Sequence, residues 1–247
     1  MRNSMMEAKV ASYMPIFVDI ETTGFEIDAD LTEIGVYDPA ECEEWGSLVK
    51  NDNHSADPVA HVSGITDKML ASAPRITDVM KEFMDRYVDE YSIFAAHNGD
   101  DFDYPRISRY MSIVKPHCKT IEELPTIDTF PIARRLIPFG DVTAYSIASL
   151  MRHFKIEGEQ IHRASSDAFF NYLVYERLLD ILRIDHPEIV TFKDLREFAS
   201  INPRVEPRER SRRTVLKMIY EIEDELAFGE TKNEDRLDQL IETYEKI

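Results

Sequence analysis

The chain has 247 residues, enough for one α/β domain with an appendage, and its 43% hydrophobic content supports an ordinary globular core. A formal net charge of −18 argues against a long basic groove and so against tight, long-range duplex binding. No apolar run reaches the length of about 18 residues that a membrane span needs. Cys42 and Cys118 are the only cysteines, which gives neither a disulfide framework nor the clustered spacing of a zinc site.

Residues 1–14 are polar and methionine-rich, without the apolar region of a signal peptide. They are read as an N-terminal extension, and the chain is expected to be intracellular and cytoplasmic. Residues 15–21, 31–37 and 44–50 read as strands, with Gly24 and Asp38-Pro39 at the turns. Short strands joined by short loops predict an antiparallel meander. The first strand, Ile16-Phe17-Val18-Asp19-Ile20-Glu21, runs into a Thr22-Thr23-Gly24 turn. Residues two apart on a strand share a face, so Asp19 and Glu21 aim two carboxylates at one point. Adjacent anions repel unless a cation or proton sits between them. Hard oxygen ligands of this kind suit Mg²⁺ or Mn²⁺.

Apolar residues from Ile76 to Val88 recur at helical spacing, a stripe that core packing explains. A strand is expected over 92–97, running into His97-Asn98-Gly99, and a helix over 102–113 has Asp100 and Asp101 just before it and Asp103 in its first turn. Helices are expected over 129–137, 143–154 and 164–183. The last opens on His162-Arg163-Ala164-Ser165-Ser166-Asp167, a histidine five residues before an acid. Strands first, then strand–helix alternation, predict an α/β domain with a mixed sheet.

The order Asp, Glu, Asp and then His-before-Asp, with these local sequences, resembles the DEDDh family of 3′→5′ exonucleases. The resemblance spans roughly residues 14–182. It implies a ribonuclease H-like fold, with flanking helices around the sheet, over residues 15–186. It assigns Asp19 and Glu21 to the first motif, Asp103 to the second and Asp167 to the last acid, all as ligands of two Mg²⁺ or Mn²⁺ ions. It makes His162 the general base. The tyrosine subclass has Tyr four residues before the last acid, where this chain has Arg163. The second motif, His97-Asn98-Gly99-Asp100 and onward, looks most like the three-prime repair exonuclease branch. Asp100 and Asp101 compete with Asp103 for its acid, and Asp103 is chosen because it follows Phe102 as the family acid does. Asp128 reads as structural.

In this chemistry two divalent ions stabilise charge on the attacking and leaving oxygens of a phosphodiester, and a neutral histidine takes the proton of the attacking water. Thr22 and Thr23 are expected to bring backbone close to the terminal nucleotide. Phe25 and Leu31 are expected to pack on terminal bases, and His97 and Asn98 to shape the cleft. The Gly64-Ile65-Thr66 segment resembles one that many members place over the substrate end, or else is a plain connection between helices. The expected activity is release of nucleoside 5′-monophosphates from nucleic-acid 3′ ends. Single-stranded DNA is favoured. RNA, as in ribonuclease T or oligoribonuclease relatives, stays open because no residue fixes a contact to a 2′-hydroxyl.

Residues 187–247 read as a helical C-terminal extension. A helix is expected over 192–200, a kink between Pro203 and Pro207, and then two amphipathic helices joined near Gly229. Six basic residues lie between Arg204 and Lys217, and ten acids against three bases follow from Glu221 to Lys246. The favoured reading pairs these arginines with the acidic helix downstream. The alternatives make the patch a phosphate contact, or the hairpin a dock for a protein partner such as a polymerase.

Overall fold

The computed structural model describes residues 5–51, 53–158, 163–202, 207–227 and 234–247. Three strands form the expected meander: β1 (Ile16–Thr22), β2 (Leu31–Asp38) and β3 (Glu43–Leu48). β4 (Phe94–Ala96) and β5 (Thr126–Asp128) join parallel to β1, giving the order β3-β2-β1-β4-β5. β1 is thus the central strand of a mixed sheet, antiparallel to β2 and parallel to β4. Two one-turn helices, α1 (Ala60–Ser63) and α2 (Asp67–Leu70), flank Gly64 and are followed by α3 (Ile76–Tyr87) and α4 (Asp103–Val114). Then come α5 (Thr129–Leu136), α6 (Ile147–Phe154) and α7 (Ala164–Asp185). The chain closes with α8 (Phe192–Ala199), α9 (Pro207–Ala227) and α10 (Glu234–Lys246).

The sheet is covered on both faces. Phe17, Ala95 and Ile127 face a core built with α5, α6 and α7, which Phe192 and Leu195 of α8 join. Val18, Ile20, Ile34, Val36 and Phe94 face α3 and α4. Strand alternation therefore sends Phe17, Asp19 and Glu21 to the α7 side. The fold is that of the mixed-sheet α/β class the chain predicts, with C-terminal helices.

Three local readings change. α6 starts at Ile147, four residues later than expected, because the Ser146 hydroxyl accepts from Ser149 N–H and caps it. Leu31 is only 1% exposed and packs inside the α3–α4 core. Because both faces of β2 are covered, Leu31 has no free surface for a base, contrary to expectation. Among the described residues, no ion pair joins an arginine of α9 to an acid from Glu221 onward. Arg212 pairs with Asp141 at 2.9 Å and stacks on Tyr244, while Arg213 donates to the Thr143 carbonyl. On α9 itself, Arg213 and Glu223 are ten residues apart, about 15 Å along the helix. The kink at 203–206 and the joint near Gly229 lie outside the described residues.

β2 and α7 approach each other closely at Gly35. A Cβ on Gly35 would overlap the backbone of Ala164 and Ser165. Gly35 also pairs with Asp19 across the β1–β2 ladder. Only a residue without a side chain lets the first turn of α7 descend onto the sheet at that level. Gly35→Ala is expected to lower stability by about 1–3 kcal/mol, read as a lower urea midpoint with an unchanged m-value. A variant that unfolds like the parent would show that this contact is not a constraint.

Candidate active site

β1 ends at the sheet edge where the parallel strands deliver their carboxyl termini, the usual ligand side of an open α/β sheet. One carboxylate oxygen from each of Asp19, Glu21 and Asp167 lies within 4.8 Å of the other two. Asp103 opens α4 with its carboxyl buried at 2% exposure. Its Oδ1 is buried without a hydrogen-bond partner. Asp100 and Asp101, its rivals for the second motif, are exposed. The local turn explains the placement. Asn98 takes a left-handed φ of 66°, Phe102 N–H donates to the Asn98 carbonyl, and Asp128 accepts from the N–H groups of Asn98 and Asp100. Asp128 also caps α5 through Phe130 N–H, so its oxygens are spent on backbone.

Crowding of anions sets the electrostatics. Burial, and then the charges of Asp103, Asp167, Glu21 and Glu33, push the Asp19 carboxyl well up. Burial, with Asp167 and Glu33 beside it, raises Glu21 to about 8. Burial and Asp128 raise Asp103 to about 8, although backbone N–H groups oppose the shift. A site of hard oxygens, with one orphaned buried acceptor and protons held where cations could sit, fits divalent ions. Asp19, Glu21, Asp103 and Asp167 are the residues that would hold them.

Glu33 is the main residue the sequence reading missed. It is 2% exposed and pairs with Glu21 in the β1–β2 register. Its carboxylate accepts from Arg163 Nε at 2.9 and 3.1 Å, from Arg163 Nη2 at 2.6 Å and from Ala164 N–H at 3.1 Å. This charge-assisted fork ties the N-terminus of α7 to β2. Asp167 sits one turn further along, over Asp19 and Glu21. His162 lies outside the described residues, and Arg163 immediately after it is the fastened residue. An acid between Thr32 and Ile34 in an apolar strand was the available signal, since buried charges are paired.

The expected substrate residues fall into two groups. Phe25 is 81% exposed. Arg106 holds its loop by donating to the Phe25 and Glu26 carbonyls, and Arg109 by donating to those of Ile27 and Ala29. Thr22 donates to the Gly24 carbonyl and Thr23 Oγ1 accepts from Asp30 N–H, so both hydroxyls close the same loop. His97 is turned inward: Nε2 lies 2.6 Å from the Tyr145 carbonyl and Nδ1 2.9 Å from Thr129 Oγ1. Burial lowers its pKa to about 4, so the ring stays neutral and braces the 138–146 loop. Ile65 is buried with Ala56 and Leu70 beneath the Gly64 turn.

Residues 16–175 match the RNase_T family model, described as Exonuclease. The chain belongs to this exonuclease family, the DEDDh group that its acids predict. DNA polymerase III PolC-type of Thermotoga petrophila is 27% identical over 211 residues, 82% of this chain but 15% of that protein. A putative bifunctional exonuclease/endonuclease of Mycobacterium tuberculosis is 29% identical, over 83% of this chain and 32% of that one. The chain thus spans a third or less of these two relatives. The DNA polymerase III subunit epsilon of Aquifex aeolicus is 26% identical, over 68% of this chain and 81% of the subunit. In fold, the chain is similar to Exonuclease X in complex with 5′ overhanging duplex DNA, at a TM-score of 0.54 and 24% identity, covering 76% of this chain and all of that one. It is also similar to E. coli Exonuclease I in complex with a dT13 oligonucleotide, at 0.57 and 16%, covering 70% and 41%. No helix among the described residues is long and apolar enough to cross a membrane.

The raised carboxyls have a sign. Between the ordinary carboxylate range and about pH 8, folded metal-free protein holds protons on Glu21 and Asp103 that the unfolded chain has released. The folded state binds more protons, so stability falls as pH rises through that interval. Urea unfolding in EDTA should show this decline between about pH 5 and 8. Mn²⁺ should remove the decline, and Asp19→Asn should reduce it and stabilise the metal-free protein. A flat profile in EDTA would contradict the crowding.

Proposed function

We propose that the protein is a divalent-metal-dependent 3′→5′ exonuclease that releases nucleoside 5′-monophosphates, with single-stranded DNA ends as its preferred substrate. The observation that carries this reading is the convergence of Asp19, Glu21 and Asp167, with buried Asp103 beside Asp19, at the carboxyl end of the central strand. Two bound Mg²⁺ or Mn²⁺ ions would supply charge stabilisation at the attacking and leaving oxygens. The four carboxylates fix where those ions sit. His162, next to the fastened Arg163, takes a proton from the attacking water. Exposed Phe25, on a loop clamped by Arg106 and Arg109, offers a flat apolar face to the terminal base. Thr22 and Thr23 hold that loop closed, so its backbone can meet the terminal nucleotide. Support for DNA comes from the solved neighbours, whose complexes contain DNA.

A second reading has the chain serve as an exonuclease subunit of a polymerase. It is favoured by the likeness to the Aquifex aeolicus epsilon subunit, most of whose length the chain covers. The two readings are compatible, because all four acids are present.

End-labelled DNA and RNA oligonucleotides, single and double stranded, should be degraded from the 3′ end with Mg²⁺ or Mn²⁺ and not in EDTA. Undiminished cleavage in chelator would sink the metal mechanism, and faster cleavage of RNA would reassign the substrate. His162→Ala should cost roughly 10²–10⁴ in rate, the usual worth of a positioned proton transfer. It should keep the thermal stabilisation by Mn²⁺. Loss of that stabilisation would move His162 into the metal shell.

A further inference from the structure

α9 places Arg210, Arg213, Thr214 and Lys217 on one face, at spacings of three and four residues. Together with Phe139 they line a groove of about 530 Å³ with three cations and no carboxylate. Three cations thus lie together without a lining acid in a chain whose net charge is −18. Arg86, Arg152, Arg163 and Arg212 each have a carboxylate partner, whereas Arg106 and Arg109 are spent on backbone carbonyls and Arg134 and Arg135 stack singly on aromatic rings. Among the described residues, Arg210, Arg213 and Lys217 have no carboxylate partner.

Arg213 is also preset. Its guanidinium lies 3.7 Å from the Phe139 ring centroid, and its Nε donates to the Thr143 carbonyl at 2.8 Å. No protein partner among the described residues engages its two terminal nitrogens, and a planar fork held this way suits a phosphate oxygen pair. The groove adjoins the carboxylate edge of the sheet through Tyr145. Arg213 lies over the Tyr145 ring at 5.7 Å, and the Tyr145 carbonyl contacts His97 at the end of β4. Gly140 permits this closeness: a Cβ there would press on Glu209 and Arg212 of α9 at 2.8 Å.

We infer that this groove holds the phosphodiester backbone of the same single strand whose 3′ end enters the carboxylate site, an inference that rests on the exonuclease reading of that site. Phosphates match the three unpaired cations in charge. Phe139, with the guanidinium stacked on it, adds a sequence-tolerant surface. The groove sits upstream of the reacting end, so it acts on strands long enough to reach it and not on the shortest oligonucleotides.

The test uses the full chain in EDTA, with fluorescence anisotropy of a labelled oligothymidine of about 20 nucleotides at several salt concentrations. Arg210→Ala with Lys217→Ala should weaken binding about tenfold and reduce the slope of log K against log salt by roughly 1.4, two contacts at about 0.7 each. Lys81→Ala with Lys119→Ala removes the same charge from exposed sites elsewhere and should leave the slope as in the parent. With Mg²⁺, the ratio of kcat/KM on the long strand to that on a trinucleotide should fall about tenfold in the groove variant only. Melting curves confirm that each variant is folded. Equal slopes in the groove and control variants, or no binding by the parent, overturn the inference. Groove-dependent binding without cleavage of any oligonucleotide would leave the groove in place and defeat the exonuclease reading. Cleavage with no groove dependence would do the reverse.

Discussion

Carboxylates brought within about 5 Å of one another repel by roughly 3 kcal/mol per pair at an effective dielectric constant near 20. Three acidic side chains meet at that range here, with Asp103 and Glu33 close behind. A loose scaffold would relieve this by moving apart. This one removes the ways of moving. β1 is held on both sides by ladders, so Asp19 and Glu21 cannot shift without breaking the sheet. Gly35 lets α7 sit down at the level of Asp19, and the Glu33–Arg163 fork holds its first turn there. Asp128 braces the turn before Asp103. Each device spends a residue on geometry so that the repulsion is stored for a cation to relieve.

Glu33 has a double effect. Its charge adds to the repulsion on Asp19 and Glu21, and its fork brings Arg163 close enough to offset part of it at Glu21. An apolar residue at that position would lessen the crowding but leave the N-terminus of α7 without its anchor. Buried ion pairs often contribute little net stability compared with apolar packing. The reason for this pair is better found in what it holds in register, namely the first turn of α7 that carries Asp167.

Local pattern was legible and long-range pairing was not. The alternation Phe17, Asp19, Glu21 against Val18, Ile20 puts the two acids on one face, and the stripe from Ile76 to Val88 marks the helix Ile76–Tyr87 to within one residue. Both depend on period alone. The burial of Leu31 was missed because a two-faced strand shows no alternation to read. The Arg163–Glu33 fork joins residues 130 apart, and no local rule reports such a partner. His97 was read as a cleft residue, but its ring is consumed by the Tyr145 carbonyl, a backbone atom that carries no sequence signature. The arginines of α9 were assigned to the nearest acids in sequence. Along α9 the rise of the helix keeps the acids from Glu221 to Asp224 away from the arginines of its first half.

The surplus of acids and the binding of a polyanion are reconciled by distance. At physiological ionic strength the screening length is about 8 Å. Acids on the far helices therefore contribute little to the potential where a strand would lie, and the local set of charges decides. That set is sharply divided. The crowded carboxylate cluster disfavours phosphate until cations occupy it, whereas the cationic face of α9 would favour it. A strand would then be held by its upstream backbone whether or not metal is present, and its terminal phosphodiester would settle only onto a metal-loaded site. On the proposed exonuclease reading, a released mononucleotide would have no upstream backbone to hold it, and the surrounding acids would favour its departure. On that reading the local division of charge would give the reaction a direction.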